Sequence, residues 1–211
     1  MKPALQVVGD RVRHAVIAGA MIALAGCALT RQAPVKQMFL LDPPAPPAVA
    51  KTQPTSIRVG TINVATPFRG RSFISREGEL RYETDYYSEF LVPPSTMLGD
   101  ATARALERSK AFARVVPPNG SAPSDWTLDA FVSSLYADAR DKSFAADVAM
   151  TFYLFQSDGG TGAPVWTREY HRRVSLTAPT PQAYAAALNT AFGEVYADLA
   201  RDLAAADLKK N

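Results

Sequence analysis

The chain of 211 residues holds one cysteine, Cys27, and two histidines, His14 and His171. A single thiol excludes an internal disulfide framework and any metal site built on several cysteines. Charge of one sign is also scarce. Net charge is +3, and Lys2, Arg11 and Arg13 against Asp10 place two of those charges before Cys27. The remainder is close to neutral, so no basic stripe is available to displace counterions from a phosphate backbone, and nucleic-acid binding is excluded. Arg168, Arg172 and Arg173 are interleaved with Glu169 and read as a solvated strand face. No apolar run is long enough to cross a bilayer. The longest near the start, Ala15 to Leu24, would extend only ~15 Å as a helix, half of the ~30 Å hydrocarbon core.

What that first segment does have is the order of a secretory signal: basic residues, an apolar stretch, then small residues. It ends in Leu24-Ala25-Gly26-Cys27, which resembles the lipobox of bacterial lipoproteins. Cleavage before Cys27 would free its amino group, and acylation of the thiol and then the amine would give the two or more chains that stable anchoring needs. The expected organisation is a signal peptide over 1–26, a lipidated tether over 27–37 and one domain over 38–211. The acyl chains on Cys27 are covalent, and no other cofactor is expected. Ala28 stands where an Asp would resemble an inner-membrane retention signal, which points to the periplasmic face of the outer membrane. Nine residues separate Cys27 from Gln37 and reach at most ~30 Å, so the domain stays near its membrane.

Along the domain, Met38 to Leu41 reads as a short strand, followed by the stiff connector Asp42-Pro43-Pro44-Ala45-Pro46-Pro47. Ile57 to Val64 reads as a buried strand with a bulge at Gly60. Phe73-Ile74 and Leu80-Arg81-Tyr82 flank a hairpin turn at Arg76-Glu77-Gly78-Glu79. After Pro93-Pro94, Ser95 or Thr96 should cap a helix to about Ala111 that buries Met97, Ala101, Ala105 and Leu106. Three long strands, Trp126 to Tyr136, Phe144 to Leu154 and Val165 to Leu176, predict an antiparallel meander with one buried face. The turn before the third is Asp158-Gly159-Gly160-Thr161-Gly162. Thr180-Pro181 then opens a long amphipathic helix with Tyr184, Leu188, Ala191, Phe192, Val195, Leu199 and Leu203 on one stripe.

Signatures of catalysis are few. His14 precedes Cys27, which leaves His171 for any triad, and its one obvious orienting carboxylate in sequence is Glu169. The Gly159 to Gly162 run lacks the Gly-Lys-Ser/Thr ending of a phosphate loop. Glu83 with Asp85 and Asp138 with Asp141 are ordinary surface-type acid pairs, and no metal site is expected. The segment Arg81 to Pro94 is different. Tyr82, Tyr86, Tyr87 and Phe90, with Arg81, form a candidate partner interface, because tyrosine combines apolar area with a hydrogen-bonding tip.

The lipobox at Cys27, Phe39-Leu40-Leu41-Asp42-Pro43, Ile57-Arg58-Val59, and Arg81-Tyr82 through Tyr86-Tyr87 and Phe90 to Pro93-Pro94 together resemble the ABC-type transport auxiliary lipoproteins, the PqiC-like family. The resemblance spans nearly the whole chain after Cys27, and the Phe68 to Glu79 stretch departs from it as if inserted. It implies a non-catalytic periplasmic lipoprotein that works with an ABC transporter permease and ATPase and with a mammalian-cell-entry (MCE) domain protein in moving lipids or other hydrophobic compounds. It leaves a homo-oligomer open. It also implies an α/β sandwich, a mixed and largely antiparallel sheet with helices packed on it, similar to the TolB amino-terminal domain. Two further readings share the anchor: an outer-membrane assembly or secretion accessory lipoprotein, and a periplasmic lipid-binding carrier.

Overall fold

The computed structural model describes residues 35–140, 143–157 and 162–208. Residues from Lys36 onward form one compact unit. Its strands are β1 Gln37–Phe39, β2 Gln53–Val64, β3 Ser72–Arg76, β4 Tyr82–Phe90, β5 Phe112–Val116, β6 Trp126–Asp138, β7 Ala145–Gln156 and β8 Trp166–Ser175. Helix α1 spans Pro94–Ser109 and α2 spans Pro181–Ala205, and a short 3-10 turn covers Thr66–Phe68.

Strand β6 organises the sheet. One edge pairs antiparallel with β7 along its length, from Trp126 opposite Gln156 to Asp138 opposite Ala145, and β7 pairs antiparallel with β8. The other edge is shared: β2 runs parallel to its first half, Ile57 opposite Trp126 and Val64 opposite Val132, and β3 takes up its end, Arg76 opposite Asp138. Beyond β2 lies β5, and beyond β3 lie β4 and then β1. The Phe68 to Glu79 stretch is part of the sheet. It contains β3, the strand that ties β4 and β1 to the main sheet.

The changeover coincides with a bulge in β6 between Val132 and Ser134. One extra residue in a strand of period two moves every later side chain to the other face. Trp126, Leu128, Ala130 and Val132 are buried in even positions, but beyond the bulge Leu135 joins the core. The expected bulge at Gly60 is present too, as the register of β2 shifts between Val59 and Ile62. A Cβ on Gly60 would lie 2.1 Å from Asp129 Oδ1, the atom that accepts the Thr61 backbone N–H at 2.8 Å.

Helix α1 packs on β2 and β5, and α2 on β7, β8 and α1, so both apolar stripes bury Ile57, Val59, Leu128, Val148 and Met150 of the sheet. Neither Ser95 nor Thr96 caps α1. The N-cap is Pro93, with Pro94 in the first turn and no side-chain cap bond, because proline's fixed φ suits the first helical position and it has no N–H to satisfy. Thr180 caps α2 as expected, accepting from Ala183 N at 3.2 Å. The other end of α2 is held by Gln53 of β2, whose buried Nε2 donates to the carbonyls of Leu203, Ala204 and Ala206 at 3.0, 3.2 and 2.8 Å. The proline connector lies against α2: Asp42 N donates to Asn189 Oδ1 at 2.8 Å, and Pro44 sits over Gly193.

Candidate functional site

Cys27 and the lipobox residues Leu24, Ala25 and Gly26 lie outside the described residues, as do Asp141 and the turn residues 158–161. The Arg81 to Phe90 segment is β4 with its preceding turn, and the fold separates its members. Phe90 is buried against Phe73, with ring centroids 4.8 Å apart, in a cluster that takes in Phe39 and Tyr184. It is therefore a core residue and presents no surface. Tyr82 packs edge-on against Tyr136 at 5.6 Å and beside Phe68, with the Arg76 guanidinium over both tyrosine rings at 5.6 and 5.9 Å. Arg81 is exposed and pairs loosely with Glu83 at 3.6 Å. Tyr82, Tyr136, Phe68 and Arg76 form an aromatic and cationic platform on the sheet face that the helices leave uncovered.

Tyr86 and Tyr87 stand apart from it. Opposite the short step from Ser72 to Ile74 in β3, β4 runs from Glu89 to Thr84, so the residues between bulge outward. Asp85 holds the bulge, its Oδ1 accepting from Tyr87 N at 2.7 Å and Ser88 N at 3.1 Å. The two tyrosine rings meet edge to face at 5.1 Å. Lys36 Nζ lies 5.9 Å from the Tyr86 ring and 2.8 Å from Glu89 Oε2, while Arg71 donates to Glu89 Oε1 at 2.7 Å. These two cations hold the Glu89 carboxyl below its ordinary pKa, the Lys36 hydrogen bond being the larger cause.

The bulge in β6 builds a second polar group on the uncovered face. Asp138, 1% exposed, accepts from Arg140 Nε at 2.9 Å and Nη2 at 2.7 Å, and from Arg173. The Arg140 hydrogen bonds push its carboxyl far below the usual range, against the cost of burial. Asp138 is therefore an internal ion-pair centre, not half of a surface acid pair. Beside it, His171 Nε2 lies 3.2 Å from both oxygens of Asp147. The orienting carboxylate comes from the adjacent strand, where sequence spacing pointed to Glu169. Arg168, Glu169 and Arg173 are exposed as expected, and Arg168 and the partly buried Arg172 turn toward α2 and pair with Asp202 at 3.1 Å and with Glu194 at 3.2 Å and Asp198. Between them Tyr170 donates to Asp202 at 2.7 Å.

Chemically, these groups position each other. The ring of His171 makes its hydrogen bonds to Asp147 alone among the described residues, with no hydroxyl or thiol in line. No three His, Cys, Asp or Glu side chains among the described residues converge on a metal position. An apolar cleft of about 160 Å³ opens between Phe73, Leu176, Pro181 and Tyr184. Sites for drug-sized ligands run to ~300–1,000 Å³, so this cleft would take the end of one acyl chain and not a whole lipid.

The molecule thus combines an uncovered sheet face carrying an aromatic platform with a helix-covered core. The profile of the ABC-type transport auxiliary lipoprotein component family matches residues 39–200, and the chain belongs to that family. The fold is shared with solved structures. A Xanthomonas campestris protein of the DUF330 family superposes with a TM-score of 0.70 at 20% identity, covering 78% of this chain and 92% of its own. An uncharacterized protein superposes with a TM-score of 0.62 at 15% identity, covering 80% and 99%. Among curated proteins there is no significant match. The family is one of auxiliary transport lipoproteins, which implies a membrane-anchored place in the cell envelope. No helix among the described residues is long and apolar enough to cross a membrane.

Proposed function

We propose that the chain is a non-catalytic lipoprotein subunit, anchored through acyl chains on Cys27 to the periplasmic face of the outer membrane. In this reading it serves an ABC transporter whose permease and ATPase, with an MCE-domain protein, move lipids or other hydrophobic compounds across the envelope. Family membership over residues 39–200 carries the proposal. The Leu24-Ala25-Gly26-Cys27 sequence supports the anchor, since it supplies the thiol and the small residues that lipidation and cleavage need.

Partner contact is assigned to the platform of Tyr82 and Arg76 and to Arg81. Aromatic residues and arginine are enriched in interface cores and hot spots, and here Arg76 stacks over Tyr82 on the sheet, with the exposed Arg81 next to Tyr82 in the chain. The carrier alternative requires a lipid-sized cavity, and the apolar cleft beside Tyr184 is smaller than that. The anchor is tested by Cys27→Ala in the full chain, followed by separation of membrane and soluble fractions. The protein should leave the membrane fraction while keeping the far-ultraviolet circular dichroism of the folded domain. A variant that stays with the outer membrane would refute lipidation at Cys27.

A further inference from the structure

We infer that the corner formed by β1 and the β4 bulge is a membrane-docking face, which lies against the headgroups of the bilayer that holds the anchor. The inference rests on the lipidation of Cys27 proposed above. Large apolar side chains are exposed together at this corner: Tyr86 by 76%, Met38 by 57%, Leu40 by 52%, Leu91 by 47% and Tyr87 by 44%. They are linked by contact. Met38 pairs with Glu89 in the β1–β4 register and receives Arg71 Nη2 at its sulfur at 3.7 Å, Leu91 N donates to Phe39 O at 2.8 Å, and Lys36 bridges Glu89 to Tyr86.

The composition matches an interfacial membrane surface. Tyrosine settles at headgroup level with its ring toward the acyl region, and aliphatic side chains enter only ~5–10 Å. Lysine and arginine extend their charge to the phosphates while their stems cover apolar area. Lys36 and Arg71 share the carboxylate of Glu89, and with the Asp85 carboxylate turned onto the bulge backbone the corner is neutral overall, its two cations the groups placed to reach lipid phosphates.

Tether length selects the occupant. Lys36 belongs to the corner, and the chain from Cys27 to Lys36 can span no more than ~30 Å. A domain of this size has a radius of gyration of ~16 Å, so its far side could be turned to the bilayer only by stretching the tether around the body. The corner is where the tether enters the domain, so it reaches the bilayer well within the ~30 Å limit. A short tether also sets an effective concentration in the millimolar range, so docking needs only weak affinity for lipid. A second copy added through the edge of β1 is disfavoured, because three residues of strand offer too little pairing.

The test uses the full-length lipidated protein in vesicles of phosphatidylethanolamine and phosphatidylglycerol. A nitroxide is placed at Tyr86→Cys, at Met38→Cys, and at Glu107→Cys on exposed α1 as the control. Vesicles are floated, and collision of each label with oxygen, which concentrates in lipid, is compared with collision with a water-soluble nickel chelate. Labels at 86 and 38 should favour oxygen and the label at 107 the chelate, and Tyr87→Ser with Leu91→Ser should abolish the preference at 86. Chelate access at 86 and 38 equal to that at 107 overturns the docking face and leaves the anchor standing. Low collision with both reagents at 86 means a protein contact and overturns it equally. Protein that does not float overturns the anchor and the docking face together.

Discussion

Asp138 shows how much of the uncovered face depends on single residues. Its carboxylate is nearly inaccessible and is gripped by Arg140 and Arg173. Because its pKa is depressed in the folded state, it stabilises the fold above the carboxylate's unfolded value of ~3.9, and that stability is lost progressively as pH falls below it. Urea denaturation should therefore show the wild type losing stability below about pH 4, with a shallower loss in Asp138→Asn. At pH 7 Asp138→Ala should cost about 2–3 kcal/mol, the scale of hydrogen bonds to a charged group. Tyr184 predicts the opposite sign. Its hydroxyl is buried with no hydrogen-bond partner among the described residues, which costs stability. Tyr184→Phe should leave the urea midpoint unchanged or raise stability by about 1 kcal/mol, whereas a loss above that would mean the hydroxyl is satisfied in solution.

Among the elements, the proline connector and α2 are made for each other at Gly193. A methyl group there would meet the Pro44 ring at 2.6 and 2.9 Å. Alanine in a helix gains about 1 kcal/mol over glycine, and overpacking costs about 1–3 kcal/mol. Gly193→Ala should therefore destabilise by about 1 kcal/mol net, and Pro44→Ala in the same chain should recover most of that loss, as read from thermal and urea midpoints. The elements themselves were legible because periodicity is local: Trp126 to Val132 alternate, Tyr184 to Leu203 repeat at three and four, and Thr180-Pro181 marks a helix start. What stayed hidden depends on register. Asp147 reaches His171, Gln53 caps α2, and Arg168 and Arg172 face Asp202 and Asp198, all through residues far apart in the chain. The β6 bulge is hidden for the same reason, and with it the turning of Asp138 and Tyr136 to the uncovered face.

For the whole molecule, the exposure of the candidate residues was half legible. The aromatic run of β4 announced a surface, and Tyr82, Tyr86 and Tyr87 are exposed, but alternation along one strand could not show that Phe90 enters the core or that the Asp85 bulge parts two surfaces. The proposed membrane corner and the proposed partner platform lie on either side of the Asp85 bulge in β4, within one sheet. That layout suits an accessory subunit that bridges a bilayer and a transport assembly. The most direct measurement places a photo-activated crosslinker at Tyr82 in the full-length protein, irradiates intact cells, and identifies the captured proteins by mass spectrometry. The account predicts an MCE-domain protein, with the permease and ATPase of an ABC transporter recovered alongside it. Capture of an outer-membrane barrel or a secretion component in their place would contradict it.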